Sequence, residues 1–461
     1  MSEQHRSAFL SEDKLFPLLL RMSVPAMIGM MVTSFYNIAD TIFIGRGAGT
    51  LAIAGLSVAF PIQMIVQSVS RMIGVGGASI ISRRLGEKRY SDASSALGTA
   101  FTANAIAVVG MMVLILIFSE PILRAFGASD TSMPYAMEYL TTVLWGFPFI
   151  AVSVTGNNLI RAEGNARVAM FTMLIGMLLN IILDPVFIFG FDMGIKGAAI
   201  ATVISQACSS LWVFLYYTGG KSVVTVKREY FRIRKKQLRE MLLLGTPNFV
   251  QSAGMSVLTM IVNNILLATG GDLAISAYGI VHRLISFVIM PVIGLSQGFQ
   301  PIAGYNYGAL RFDRVKKILL ITTVSAVCVS GFSYMILRLF PRFIIGLFTT
   351  DTVLIEMAVE AMLLMILLMP IGSLQIVFSI YFQAIGKGIH SLLLGLSRQF
   401  LILIPVVLIL PRYIGLTGVW GAFPISDLLA TLITAAVLIM ELRHLDSRHR
   451  DTMLASEEIG A

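Results

Sequence analysis

The chain has 461 residues, of which 56% are hydrophobic and only 13% charged, with a formal net charge of +9. A soluble protein of this length carries roughly twice that share of charge, so a soluble globular protein is excluded and a membrane protein is implied. The basic excess is spread over alternate loops instead of one patch, which argues against nucleic acid as a partner.

Twelve apolar segments follow one another along the chain. In the first half they are Met22–Ala39, Gly47–Ser70, Ala93–Ser119, Tyr139–Ile160, Val168–Gly190 and Gly197–Gly220. In the second they are Met241–Gly271, Leu273–Gly304, Ile318–Leu337, Ala361–Gly386, Gly388–Pro411 and Tyr413–Met440. Each approaches or exceeds the ~20 residues that a helix needs to cross a hydrocarbon core. Apolar and polar residues do not alternate within them, which excludes strands of a membrane barrel. The first segment is too long for a cleavable leader and lacks a small-residue cleavage site, so it is read as span one. Cys208 and Cys328 lie inside apolar runs and are expected as buried small side chains, not a disulfide. The five histidines show no ligand spacing. There is no Gly-rich phosphate loop, no His/Glu zinc pair, and no Ser or Cys with a base beside it. An enzyme is not expected, nor any cofactor beyond a coupling ion.

With the N-terminus inside, 25 of the 34 basic residues fall in inner loops and six in outer ones. Retention of basic residues on the cytoplasmic side explains this bias and places both termini inside, in a multi-pass cytoplasmic (inner) membrane protein. The most basic loop, 221–239, separates an N-terminal lobe (1–220) from a C-terminal lobe (240–442), with a cytoplasmic tail at 443–461. A shift of about 222 residues lays one lobe on the other. Pro25 falls on Pro247, Gly86 and Arg89 on Gly308 and Arg311, Pro148 on Pro370, and Gly164 on Gly386. Six spans per lobe give both lobes the same orientation, so the repeats are related by a pseudo-two-fold axis along the membrane normal. The fold expected is therefore all-α, with twelve transmembrane helices in two six-helix lobes around a cavity. That architecture suits alternating access, and so an ion-coupled transporter.

Ionisable groups in hydrocarbon cost a few kcal/mol each and need a reason. Tyr36, Asn37 and Asp40 share a face of span one by their spacing of three and four. Asn180 and Asp184 share a face of span five, and Thr202, Ser205 and Gln206 a face of span six. At ~1.5 Å per residue from the nearest glycines taken as outer ends, Asp40, Asp184 and Thr202 lie about 8, 9 and 12 Å deep. They are expected to meet at one level of the N-terminal lobe. Two carboxylates with an amide and a hydroxyl offer hard oxygen ligands for Na⁺, and two close carboxylates equally favour proton uptake. The repeat-related positions in the C-terminal lobe, near Val262 and Pro405, are not acidic. Arg71, Arg283 and Arg398 are read as snorkelling or paired, Arg398 with Asp427, and Glu163 as a solvated loop charge.

Twelve spans in two repeats, Tyr36-Asn37-x-x-Asp40, Arg161-Ala-Glu-Gly-Asn165 and Asn180-x-x-x-Asp184-Pro185 together resemble the multidrug and toxic compound extrusion (MATE) family, closest in pattern to its DinF-like and bacterial multidrug-export subgroup. The resemblance spans about residues 10 to 442. It implies efflux of small amphipathic or cationic compounds in exchange for Na⁺ or H⁺, by a monomer. It assigns cation coupling to Asp40, Asn180, Asp184 and Thr202, which would hold the metal ion if Na⁺ is used. It places the substrate cavity at Tyr36, Asn37, Asn157 and Asn158 and a hinge at Pro25; Gln206, on the face of Thr202, is expected to join the substrate residues, and helix-distorting Pro185 to be a second hinge. The competing reading on the same fold is a flippase or exporter of lipid-linked or endogenous metabolites. Its polyprenyl-pyrophosphate cargo should require basic residues in the cavity, for which the three intramembrane arginines are the candidates.

Overall fold

The computed structural model describes residues 14–460 except 48–49, 127, 129, 131–132, 221 and 349–350, and describes no side chains at 33–54, 57, 228, 253, 256, 257, 260, 272 and 444–460. No strand occurs among the described residues. The first half contains α1 (Leu15–Gly47), α2 (Thr50–Gly86), α3 (Tyr90–Ile117), α4 (Met133–Val143), α5 (Phe147–Ala162), α6 (Ala166–Pro185) and α7 (Gly194–Thr218). The second contains α8 (Lys235–Gly308), α9 (Phe312–Leu339), α10 (Thr352–Met365), α11 (Met369–Ala384), α12 (Gly388–Leu396), α13 (Ile404–Ile409) and α14 (Pro411–Gly460).

Ten helices among the described residues are long and apolar enough to cross a membrane. The pair α10 and α11, bent by 53°, passes the same test when taken together, which brings the count to eleven if the pair is one span. The remaining expected span, 241–271, is the first arm of α8, which breaks at Gly271, where φ is 68°. Only glycine adopts that conformation freely, so one continuous apolar stretch becomes two helices. Several side chains of this arm lie outside the described residues. The cysteine expectation needs correction: Cys208 is only half-buried and Cys328 is exposed, both as free thiols.

The repeat is written in the backbone. Lys88 and Leu310 both take φ 58°, and Gly164 and Gly386 take φ 91° and 88°. Arg89 and Arg311 precede α3 and α9 with φ/ψ of −93°/68° and −90°/66°. Each pair is separated by the same 222 residues, so the two halves turn at matching places.

Two compact units result, one built on Val24–Gly245 and the other on Thr246–Ala461 with the first turns of α1 up to Ser23. Each has its own apolar core, around Leu140, Phe147 and Ile188 in the first and Tyr278, Met362 and Trp420 in the second. The first turns of α1 thus belong with the second unit, where Ser23 Oγ donates to the Leu295 carbonyl at 3.2 Å. Pro25, inside α1, stands two residues past that division and deprives the helix of a hydrogen bond there. At the other expected hinge, Pro185 ends α6 and the chain widens into a π turn over Val186–Gly190.

The segment 222–240 belongs to the first unit and is tied to α3. Ser95 Oγ donates to Gln237 Oε1 at 3.0 Å, Thr99 Oγ1 to the Arg232 carbonyl at 3.2 Å, and the Thr225 amide to Ser94 Oγ at 3.1 Å. Arg83 pairs with Glu240 at 2.7 Å.

Candidate functional site

Helices α6 and α7 carry three of the four expected coupling residues, Asn180, Asp184 and Thr202. A methyl group on Gly176 would lie 2.5 Å from Ser209 Oγ, and one on Gly197 would lie 2.8 Å from the Phe187 backbone. The helices therefore approach closely at two levels, and Asn180, Asp184 and Thr202 lie between those levels. Small residues at such contacts are what lets membrane helices touch.

Asp184 is fully buried, with 0% exposure, and Asn180 is 2% exposed. Their i, i+4 spacing sets the side chains on one face, where Asn180 Nδ2 donates to Asp184 Oδ1 at 2.8 Å. That leaves Asn180 Oδ1 buried without a hydrogen-bond partner. The Thr202 hydroxyl donates back to the Ala198 carbonyl at 2.9 Å and keeps its lone pairs for another group. Ser205 Oγ, one turn on, is likewise buried without a partner. A buried orphan acceptor costs about 1–3 kcal/mol unless something satisfies it. These oxygens fit a hard cation or a proton carried by the carboxylate. Among the described residues no three His, Cys, Asp or Glu side chains converge as a metal cluster; the described oxygens here come from Asp184, Asn180, Thr202 and Ser205. Tyr36, Asn37 and Asp40 stand on α1, but their side chains lie outside the described residues. Ser205 was legible beside Thr202 from its spacing, yet its orphan oxygen needed the structure.

The expected substrate residues of α5 and α7 are placed as follows. Asn157 is buried and engaged at both ends of its amide, donating to the Ala169 carbonyl and accepting from Arg161 Nη2, each at 2.5 Å. It therefore braces α5 against α6. Asn158 Nδ2 donates to Val154 O at 2.9 Å and sits against Gly74 of α2. Gln206 Oε1 is buried against Gly146 and has no hydrogen-bond partner.

The turn 161–165 corrects one expectation. Glu163 is 3% exposed and is no solvated loop charge. Its Oε2 accepts from Tyr216 Oη at 3.1 Å, Ser222 Oγ at 2.7 Å and the Val223 amide at 2.9 Å. Burial pushes its carboxyl up to about 7, against the lowering effect of those hydrogen bonds. Gly164 supplies the left-handed turn, and Asn165 caps α6 by accepting from the Val168 amide at 3.4 Å. The partners of Glu163 are some fifty to sixty residues away in sequence, so no local pattern announces them.

In the second unit, Arg398 Nε and Nη2 both donate to Asp427 Oδ1, at 2.7 and 2.6 Å. The pair forms the polar wall of a cavity of about 50 Å³ that is otherwise lined by apolar side chains such as Ile285, Met365 and Phe423.

Known proteins carry the same organisation. The MatE family model matches twice, at residues 25–186 and 247–409, one match per half. The multidrug export protein MepA of Staphylococcus aureus (strain NCTC 8325 / PS 47) is 31% identical over 94% of this chain and 95% of its own length. MepA of Staphylococcus saprophyticus is 29% identical with the same coverage. A crystal structure of MATE in the bent conformation superimposes with a TM-score of 0.91 at 26% identity, covering 96% of this chain and 99% of that one. An outward-facing multidrug resistance MATE family transporter of the MOP superfamily gives 0.88 at 27% identity, with 95% and 98% covered. A double match to the family model, nearly full-length relatives and a nearly full-length structural likeness leave one assignment: the chain belongs to the MATE family of membrane transporters.

Proposed function

We propose that this protein exports small amphipathic and cationic organic compounds in exchange for Na⁺ or H⁺, by alternating access of its two repeats. The observation that carries the reading is the buried Asn180–Asp184 pair: an acid with 0% exposure, held by an amide whose own oxygen is unsatisfied. A carboxylate kept there at a cost of several kcal/mol is worth keeping only if its charge is neutralised in one state and exchanged in another. Coupling then follows, because a cation shifts a conformational equilibrium only when it binds the two states unequally. Multidrug export by the MepA relatives supports the cargo class. The basic residues gathered in alternate loops support both termini on the cytoplasmic side of the inner membrane.

The test is efflux of an ethidium-like dye from proteoliposomes under an imposed Na⁺ or pH gradient. Movement driven by either gradient supports the reading and identifies the ion. No movement under both, with folded protein inserted, contradicts it.

A further inference from the structure

The segment 222–240 lies outside every span, yet it is neither loose nor purely polar. Its start is fixed by Glu163, which accepts from Ser222 Oγ and the Val223 amide. Its middle is pressed onto α3 at Gly98, where a methyl group would lie 2.1 Å from the Tyr230 carbonyl. Its end is held by Gln237, which accepts from Ser95, and by Glu240, which pairs with Arg83. A backbone held at three places presents a defined outer face.

That face alternates two kinds of side chain. Val226, Phe231 and Ile233 are 37%, 41% and 39% exposed. Because they belong to no span, contact between a transmembrane helix and lipid tails does not account for their exposure. Lys227, Arg232, Arg234, Lys235 and Lys236 are exposed among them. Among the described residues two of these have acidic partners, both loose: Lys227 with Glu229 at 3.9 Å and Arg234 with Asp92 at 3.8 Å.

We propose that residues 226–236 form a docking surface for the anionic phospholipid headgroups of the adjoining leaflet. Phe231 and Ile233 would sit below the phosphate plane, with Arg232, Arg234, Lys235 and Lys236 reaching the phosphates. An anionic leaflet satisfies both halves of the pattern, whereas an acidic soluble partner leaves the apolar side chains in water. Each basic residue near an anionic surface adds to the attraction, so four together give a marked preference over zwitterionic lipid. The surface goes beyond transport itself: it anchors the inner end of the first unit to the membrane's charge.

The experiment titrates the full-length protein in detergent with phosphatidylglycerol or phosphatidylcholine and counts retained lipids by native mass spectrometry. The parent should retain phosphatidylglycerol preferentially, and high salt should erase that preference. The quadruple variant Arg232→Gln, Arg234→Gln, Lys235→Gln and Lys236→Gln should bind phosphatidylglycerol at least about tenfold more weakly, with phosphatidylcholine unchanged. Phe231→Ser with Ile233→Ser should weaken retention of both lipids. Equal retention of the two lipids by the parent, or a preference that survives high salt, overturns the proposal without needing any variant. A quadruple variant that melts like the parent and still retains phosphatidylglycerol overturns it too. So does displacement of the lipid by inorganic phosphate alone, which would mark a simple anion site.

Discussion

Asn180 Nδ2 reaches Asp184 Oδ1 at 2.8 Å, one helical turn further on, in a part of α6 where both residues are buried. The amide thus has two duties: one end steadies the carboxylate and the other, Oδ1, is an acceptor in search of a partner. Asn180→Ala removes both and leaves the acid in place. We expect efflux to persist with about tenfold weaker dependence on the coupling ion, the equivalent of one lost buried hydrogen bond. The measurement is the half-saturating Na⁺ or proton concentration for dye efflux. An unchanged value would separate the amide from ion binding. Thr202→Ala should behave similarly but more mildly, since its hydroxyl already donates to Ala198.

The Arg398–Asp427 pair makes an unequal prediction. Asp427 is 6% exposed, while the arginine side chain retains 30%. Arg398→Gln strands a buried carboxylate and should destabilise the protein by about 3–5 kcal/mol. Asp427→Asn keeps an amide oxygen that can still accept from the guanidinium and should cost less. Per folded molecule, Asp427→Asn should keep most of the efflux rate, because the pair brings no titrating ion to the N-terminal site. Thermal unfolding in detergent and initial efflux rates check the two halves of this expectation.

Glu163 predicts a pH dependence of stability. Its carboxyl is raised from about 4.5 to about 7 by burial. The fold therefore favours the neutral acid, and the stability it contributes at low pH is lost as pH rises from about 4.5 to about 7, then stays level. The full effect is on the order of 3 kcal/mol. Glu163→Gln keeps a neutral acceptor for Ser222 and Val223 and should flatten that slope. Denaturation midpoints across this range, measured for both proteins, decide the matter, and parallel slopes would count against it.

Helix α2 and the first arm of α8 touch through two glycines. A methyl group on Gly76 would lie 2.0 Å from the Met241 carbonyl, and one on Gly245 would lie 1.8 Å from the Met72 carbonyl. Each glycine sits four residues from the methionine its partner touches, so the contact is reciprocal and its neighbours are backbone. Gly76→Ala or Gly245→Ala should sharply reduce the yield of folded protein. Gly110→Ala, with nothing within 4 Å, should be neutral or stabilising by about 0.5–1 kcal/mol. The readout is monodisperse protein recovered from membranes.

Much of this was legible in the sequence because bilayer thickness constrains it. Apolar length announces spans, and the 222-residue shift that pairs Gly164 with Gly386 reappears as matching left-handed turns. Asp184 and Asn180 were legible because an acid inside an apolar run has few explanations and i, i+4 spacing has one geometry. Glu163 was not, since it stands beside Arg161 and Arg167 in a turn and its partners come from α7 and the segment after it. The close contacts of Gly76 and Gly245 were equally silent, because a glycine in sequence does not name the backbone that will approach it.

Asp184→Asn tests the central claim most directly. The substitution preserves size, polarity and the hydrogen-bonding partner at Asn180 while removing the only charge described at this level of α6 and α7. The measurement is the initial rate of dye efflux per folded transporter in proteoliposomes, under a fixed Na⁺ or pH gradient. The account predicts that gradient-driven efflux is abolished while the variant folds and inserts like the parent. A near-normal rate would contradict it and move the coupling site away from α6.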